Sequence, residues 1–193
     1  MSDEGTRAPV NKSPFWQFSV KFYAEPGVAP ACIELQDQAG VDVNLLFFLL
    51  WSATQNREFN SAEVAYLDRT FGAWRELTVV PIRNMRRALK SPPPIMSAET
   101  AEGFRTRIKA VELEAERLQQ EAMYEAAQSG RLGRKAMSLM GAARGNVAAY
   151  QAALRPFPAG PLDTILSAFA KLETPARDKA ELADEAGGPS HEQ

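Results

Sequence analysis

Residues 45–51 read Leu45-Leu46-Phe47-Phe48-Leu49-Leu50-Trp51, seven large apolar side chains without a polar break. On a helix such a run covers every direction, so the helix must be wrapped on all sides by other elements. The run falls well short of the roughly 20 apolar residues needed to span a bilayer. Asp42 stands where a side-chain cap of the first turn belongs, and Gly40 where a preceding helix would end. Residues 42–54 therefore predict a short central helix with other helices packed around it.

On the N-terminal side, Ser13-Pro14 is a helix start, with a capping hydroxyl and a proline at the first helical position. Phe15, Phe18 and Phe22 then fall on one helical face, and Pro26-Gly27 stops the helix. A second helix over 29–38 turns Cys32 and Leu35 inward. Beyond the central helix, Asn60 and Glu63 form a capping-box pattern at the head of a long helix. Its apolar positions are Val64, Leu67, Phe71, Trp74, Thr78, Pro81 or Ile82, Met85 and Leu89. Pro81 lacks an amide proton and crowds the preceding turn, which predicts a kink or a junction of two helices at 77–80.

Ser91-Pro92-Pro93-Pro94 breaks the chain, and Ser97 caps the next helix. There Ala101, Phe104, Ile108, Val111, Ala115, Leu118 and Ala122 alternate at spacings of three and four, a coiled-coil seam. Two helices joined by a short proline turn predict an antiparallel hairpin with arms of roughly 45 Å at 1.5 Å per residue. Glycines at 130, 133, 141 and 145 interrupt the C-terminal third, leaving short helices at 146–154 and 161–172. No alternating β-branched run is long enough for a strand. The expected fold is all-α: a compact helical bundle around a short buried central helix, with the long antiparallel hairpin.

The expected organisation is a disordered N-terminus over 1–12, a helical domain over 13–128, a short-helix extension over 129–172 and a disordered tail over 173–193. Twelve of the seventeen aromatics precede residue 75, which assigns the large-residue core to the first half.

The chain has 193 residues, 45% of them hydrophobic, and a formal net charge of -2, the profile of a soluble protein. Its single cysteine, Cys32, excludes an intrachain disulfide, and 1–12 lacks the basic start and apolar run of a signal peptide. A cytoplasmic protein without a membrane span is the expectation. Charge alternates along the chain: acidic to residue 60, basic over 61–95, acidic over 96–130, basic over 131–155 and acidic to the end. The segment 131–155 holds Arg131, Arg134, Lys135, Arg144 and Arg155 with no acid. Either the basic and acidic segments face one another in the fold, or a basic face turns outward to an anionic partner.

Several ordered blocks carry a resemblance. They are Phe15-Trp16-Gln17-Phe18-Ser19, Cys32-Ile33-Glu34-Leu35-Gln36-Asp37, and Val41-Asp42-Val43-Asn44-Leu45-Leu46 with Trp51. Trp74-Arg75 comes next, with Val79-Val80-Pro81-Ile82-Arg83 and Arg86-Arg87. Together they resemble an uncharacterised bacterial family with a domain of unknown function, over about residues 13–125. The resemblance implies a soluble helical protein and carries no activity or site.

Catalytic chemistry is sparse. The one histidine, His191, lies in the expected tail, which argues against imidazole triads, acid–base work and His metal sites. No glycine-rich phosphate loop follows a strand, and no cofactor motif is present. Cys32 among apolar neighbours reads as a buried small hydrophobe rather than a nucleophile. Glu34, Asp37 and Asp42 could hold a divalent cation, but capping and solvent exposure account for them equally, and no metal site is assigned. Gln36, Asp42 and Asn44 form a polar set beside the apolar run, suited to fixing helix register.

The candidate binding residues are Arg75, Arg83, Arg86, Arg87 and Lys90, a basic end beside the proline turn. Cations there also suit the helix dipole, which is the structural alternative. As a site, they would anchor an acidic protein surface or a phosphate-bearing ligand. The acidic isoelectric point, about 5.6, and the absence of interleaved aromatics argue against nucleic acid. The expected function is a non-catalytic interaction or adaptor module with a protein partner or a second copy of itself. The alternative is a helical binding protein or enzyme for an apolar or phosphorylated small molecule.

Overall fold

The computed structural model describes residues 12–130 and 132–172. The expected disorder at 1–11 and 173–193, His191 and Arg131 lie outside the described residues. Among the described residues eight α-helices run in order: α1 (Pro14–Tyr23), α2 (Val28–Ala39), α3 (Val43–Thr54), α4 (Ser61–Trp74), α5 (Val80–Ala88), α6 (Ala98–Gln128), α7 (Leu139–Ala153) and α8 (Ala159–Ala170). The fold is all-α, around a buried central helix.

Every residue of α3 from Asn44 to Ala53 is buried. At about 1.5–3 kcal/mol for each fully buried large side chain, the run Leu45–Leu50 alone favours folding by on the order of 10 kcal/mol, before entropy is counted. Helices α1, α2, α6 and α7 surround it. Phe15 meets Phe48 with ring centroids 5.5 Å apart, and Phe22 sits between Phe47 and Phe169 at 5.3 and 5.9 Å. The caps are those the sequence implies. Ser13 accepts the Trp16 amide, Asp42 accepts those of Asn44 and Leu45, and Asn60 with Glu63 closes a capping box.

The proline junction is a meeting of two helices through a π-turn. Residues Arg75–Val79 form one turn of π-helix that joins α4 to α5, with the Val80 amide bonded to the Arg75 carbonyl. Pro81 cannot supply the amide an α-helix would require of it, and the wider turn re-sets the ladder one residue earlier. The hairpin's first arm is thus α4, the π-turn and α5; its second is α6.

The seam of α6 is only half covered. Ala101, Glu112, Ala115, Gln119, Gln120 and Met123 are buried, whereas Phe104, Val111 and Leu118 are exposed. The covered line is rotated about the helix axis from the apolar line because glutamate and glutamine find partners on the inner side.

Glycine does not interrupt the next helix: α7 runs through Gly141 and Gly145. A glycine costs about 1 kcal/mol in a helix, less than α7 gains by burying Ala142, Ala143, Val147 and Tyr150. Gly145 is also needed for contact, since a Cβ there would lie 2.8 Å from Glu58 Oε1. Helix α7 packs on α3 and α4, and α8 on α2, so both share the one core with the first half. Tyr150, Phe157 and Phe169 thus add large side chains to a core the aromatic count had placed before residue 75. Two two-residue strands, β1 (Arg57–Glu58) and β2 (Arg134–Lys135), pair antiparallel, an element that no alternating pattern announces.

Candidate functional site

Asp42 is the hub of a buried polar network. Its Oδ1 accepts the amides of Asn44 and Leu45 at 2.9 and 3.3 Å, which starts α3. Its Oδ2 accepts Arg75 Nη1 at 2.9 Å and Gln119 Nε2 at 2.8 Å, and its own amide donates to the Tyr150 hydroxyl at 3.1 Å. Asn44 donates to Gln119 Oε1 at 2.9 Å and accepts from Gln120 Nε2 at 2.7 Å. The Asp42 carboxylate therefore joins α3, the π-turn and α6, and its backbone amide adds α7.

The electrostatics follow from burial. Burial opposes the charge on Arg75, but Asp42, together with Asp68 and Glu76, outweighs it and raises the guanidinium's pKa. Burial, and next the Asp42 charge, hold the Tyr150 hydroxyl well above its ordinary pKa, so it stays protonated. The network ends in an orphan: Gln120 Oε1 is buried with no partner among the described residues, at a cost of about 1–3 kcal/mol.

A second cluster braces the hairpin. Arg83 Nε donates to Glu112 Oε1 at 2.8 Å and its Nη2 to Glu116, while Arg86 donates to both oxygens of Glu112. Burial works to raise the Glu112 pKa, yet the two arginines lower it overall. Glu116 behaves oppositely: burial raises its pKa and Arg83 does not fully compensate. Basic and acidic segments of the sequence do face one another here.

The five candidate binding residues do not form one surface. Arg75 belongs to the Asp42 network, and Arg83 and Arg86 are committed to α6. Arg87 holds Asp37 at 2.8 Å in an exposed pair, and no carboxylate of the described residues is paired with Lys90.

Glu34, Asp37 and Asp42 do not converge: Glu34 accepts from Gln38, Asp37 from Arg87 and Asp42 from Arg75. Among the described residues no group of three His, Cys, Asp or Glu could hold a metal ion. Burial pushes the Cys32 thiol up to about 12, which leaves it a packing residue.

Sequence reasoning found Asp42 and Asn44 but missed Gln119, Gln120, Tyr150 and Asn146. Asn146 is fully buried, accepting the Phe59 amide at 2.7 Å and donating to the carbonyls of Leu49 and Arg57. The signal that could have found them was polarity beside an apolar line: Glu112, Gln119 and Gln120 sit next to the predicted seam. Among the described residues no helix is long and apolar enough to cross a membrane.

A family model described as "Protein of unknown function (DUF2390)" matches residues 14–123, from α1 to near the end of α6. The chain belongs to that family. No curated protein and no solved structure matches it. The matched span holds Asp42, Asn44, Arg75 and both glutamines of the network, while Tyr150 lies beyond it.

Proposed function

We propose that this chain is a non-catalytic helical interaction module that pairs with a second copy of itself through the outer face of α6. The observation that carries this reading is the row Phe104, Val111 and Leu118. The three are spaced by seven on one helix face and are 42%, 51% and 43% exposed. A seven-residue repeat fits another helix, and the opposite face of the same helix is already engaged by the arginines and the network.

Charge supports an antiparallel pairing. The first half of α6 balances Arg105, Arg107 and Lys109 against Glu99, Glu102 and Glu112, while the second half carries Glu114, Glu116, Glu121 and Glu125 against Arg117 alone, so its ends differ in charge. A two-fold axis beside Val111 brings the Phe104 end of one row to the Leu118 end of its mate and sets Arg107 of each copy near the Arg117–Glu114 pair of the other. Covering six half-exposed side chains at about 1 kcal/mol each supports micromolar rather than nanomolar affinity. The basic anchor narrows to Lys90 and to Arg87, which Asp37 already holds. A non-catalytic role is supported by the commitment of the buried acids and bases to one another, and by the inert thiol.

Sedimentation equilibrium at about 50 µM tests the pairing, with the double variant Val111→Glu/Leu118→Glu beside the wild type. The expected result is a dimer that the variant converts to monomer with unchanged helicity by circular dichroism. A monomeric wild type, or a dimer indifferent to both substitutions, overturns it.

A further inference from the structure

Two open clefts meet at the C-terminal end of α6 and share Gln55 and Arg57. The first, about 310 Å³, is walled by Trp51, Ser52 and Tyr124; the second, about 280 Å³, by Gly133, Arg134 and Lys135. One is aromatic and the other cationic. By the 1.5 Å helical rise, Ala127 beside them lies about 24 Å from Val111, well apart from the pairing row.

The cationic side has charge to spare. Arg134 is matched by Glu58 at 2.9 Å, but no ion pair among the described residues engages Arg57 or Lys135. The other nearby acid, Glu63, is occupied by the Asn60 and Gly133 amides. Carbonyls at the end of α6 would repel an anion. Arg57 offsets this by donating Nη1 to the Ala127 carbonyl at 3.1 Å, the one hydrogen bond its guanidinium makes among the described residues.

The backbone is shaped to hold that guanidinium. Gly133 has φ 75°, and a Cβ on it would lie 2.6 Å from Arg57 Cγ, so glycine lets the loop lie on the arginine stem. Asn56, beside Arg57, has φ 51°, a left-handed conformation uncommon for a residue with a side chain. On the aromatic side, Trp51 and Tyr124 stand with ring centroids 5.5 Å apart at 59°. Ser52 lines the same cleft but is itself only 1% exposed, and its hydroxyl has no hydrogen-bond partner among the described residues.

We infer that this double cleft binds a small organic anion. One carboxylate or phosphate group is held by Arg57 and Lys135, and a planar apolar body lies against Tyr124 and the small exposed part of Trp51. Charge-assisted bonds to the two cations supply orientation, and the rings supply area.

The test is calorimetric titration of the full chain with 2-naphthoate, adenosine monophosphate and uncharged 2-naphthol. Binding of naphthoate or of the nucleotide with a Kd below about 1 mM is expected, and whichever binds tighter identifies the anionic group as carboxylate or phosphate. Lys135→Gln, an exposed change outside the core, weakens that binding about tenfold, in line with a charge-assisted contact. Arg57→Gln weakens it further. No binding by either anion, equal binding by naphthol, or Lys135→Gln without effect overturns the inference.

Discussion

The two halves of α6 are held by opposite means. From Ala115 onward the helix is sunk in the core, with Gln119 and Gln120 bonded to Asp42 and Asn44. Before Glu112 it leans on α5, whose residues are none of them buried, through arginine–glutamate pairs at its margin. The apolar row Phe104, Val111, Leu118 runs along both halves on the face that neither arrangement uses. A repeat therefore shows that a helix has a sticky face without showing what covers it. In this chain partner polar groups on the neighbouring elements set the rotation, and the apolar row is left for another molecule.

The contrast between the halves is most vulnerable at the hub of the network. Asp42→Ala removes the cap of α3 and leaves Arg75 without its main buried counter-charge, an expected loss of about 4 kcal/mol in urea unfolding. Asp42→Asn, which keeps the cap, should lose less; equal losses would mean that the cap contributes little beside the Arg75 pair, and no loss in Asp42→Asn that the pair itself contributes little.

Glu112→Ala should act locally. It strips both Arg83 and Arg86 of a partner and should cost about 2–3 kcal/mol. Hydrogen exchange should then quicken over 80–111 while α3 stays protected, because the network does not include Glu112. Uniform loss of protection would show that the two halves of the helix do not open separately.

The smallest effect concerns the two glutamates within the brace. The Glu112 pKa is lowered in the fold, so its contribution is present above the unfolded carboxylate pKa and is lost as pH falls through the folded value. The Glu116 pKa is raised, so its contribution is present below the unfolded value and is lost as pH rises through the folded one. Glu116→Gln should therefore gain on the wild type as pH rises from 4 to 7, by under about 1 kcal/mol. A gain as pH falls would reverse the assignment.

Part of the site was legible. Asp42 and Asn44 were visible as polar residues next to an unbroken apolar run, where a buried amide must have partners. The partners themselves were not visible, because Gln119, Tyr150 and Arg75 come from positions 33 to 108 residues away in the chain. The basic end was legible as a cluster but not as a set of ion pairs, since helix spacing places arginines on a face without saying which face is covered. The Arg57 cleft left still less signal. Arg57 and Lys135 meet only through the β1–β2 pair, and each strand is two residues long, too short for any periodicity.

Where α1, α3, α4 and α6 begin, and that one helix must be central, follows from the amino-acid sequence alone. Caps at Ser13, Asp42, Asn60 and Ser97 act within a single turn, and the run 45–51 has no face that tolerates water. Packing between distant segments settles the rest: Pro81 is absorbed by a π-turn, α7 continues through two glycines, and α6 buries its glutamines while exposing Phe104, Val111 and Leu118. Those outcomes depend on groups far apart in sequence competing for the same surface, and a buried carboxylate with four donors to satisfy outweighs the half-burial of three apolar side chains.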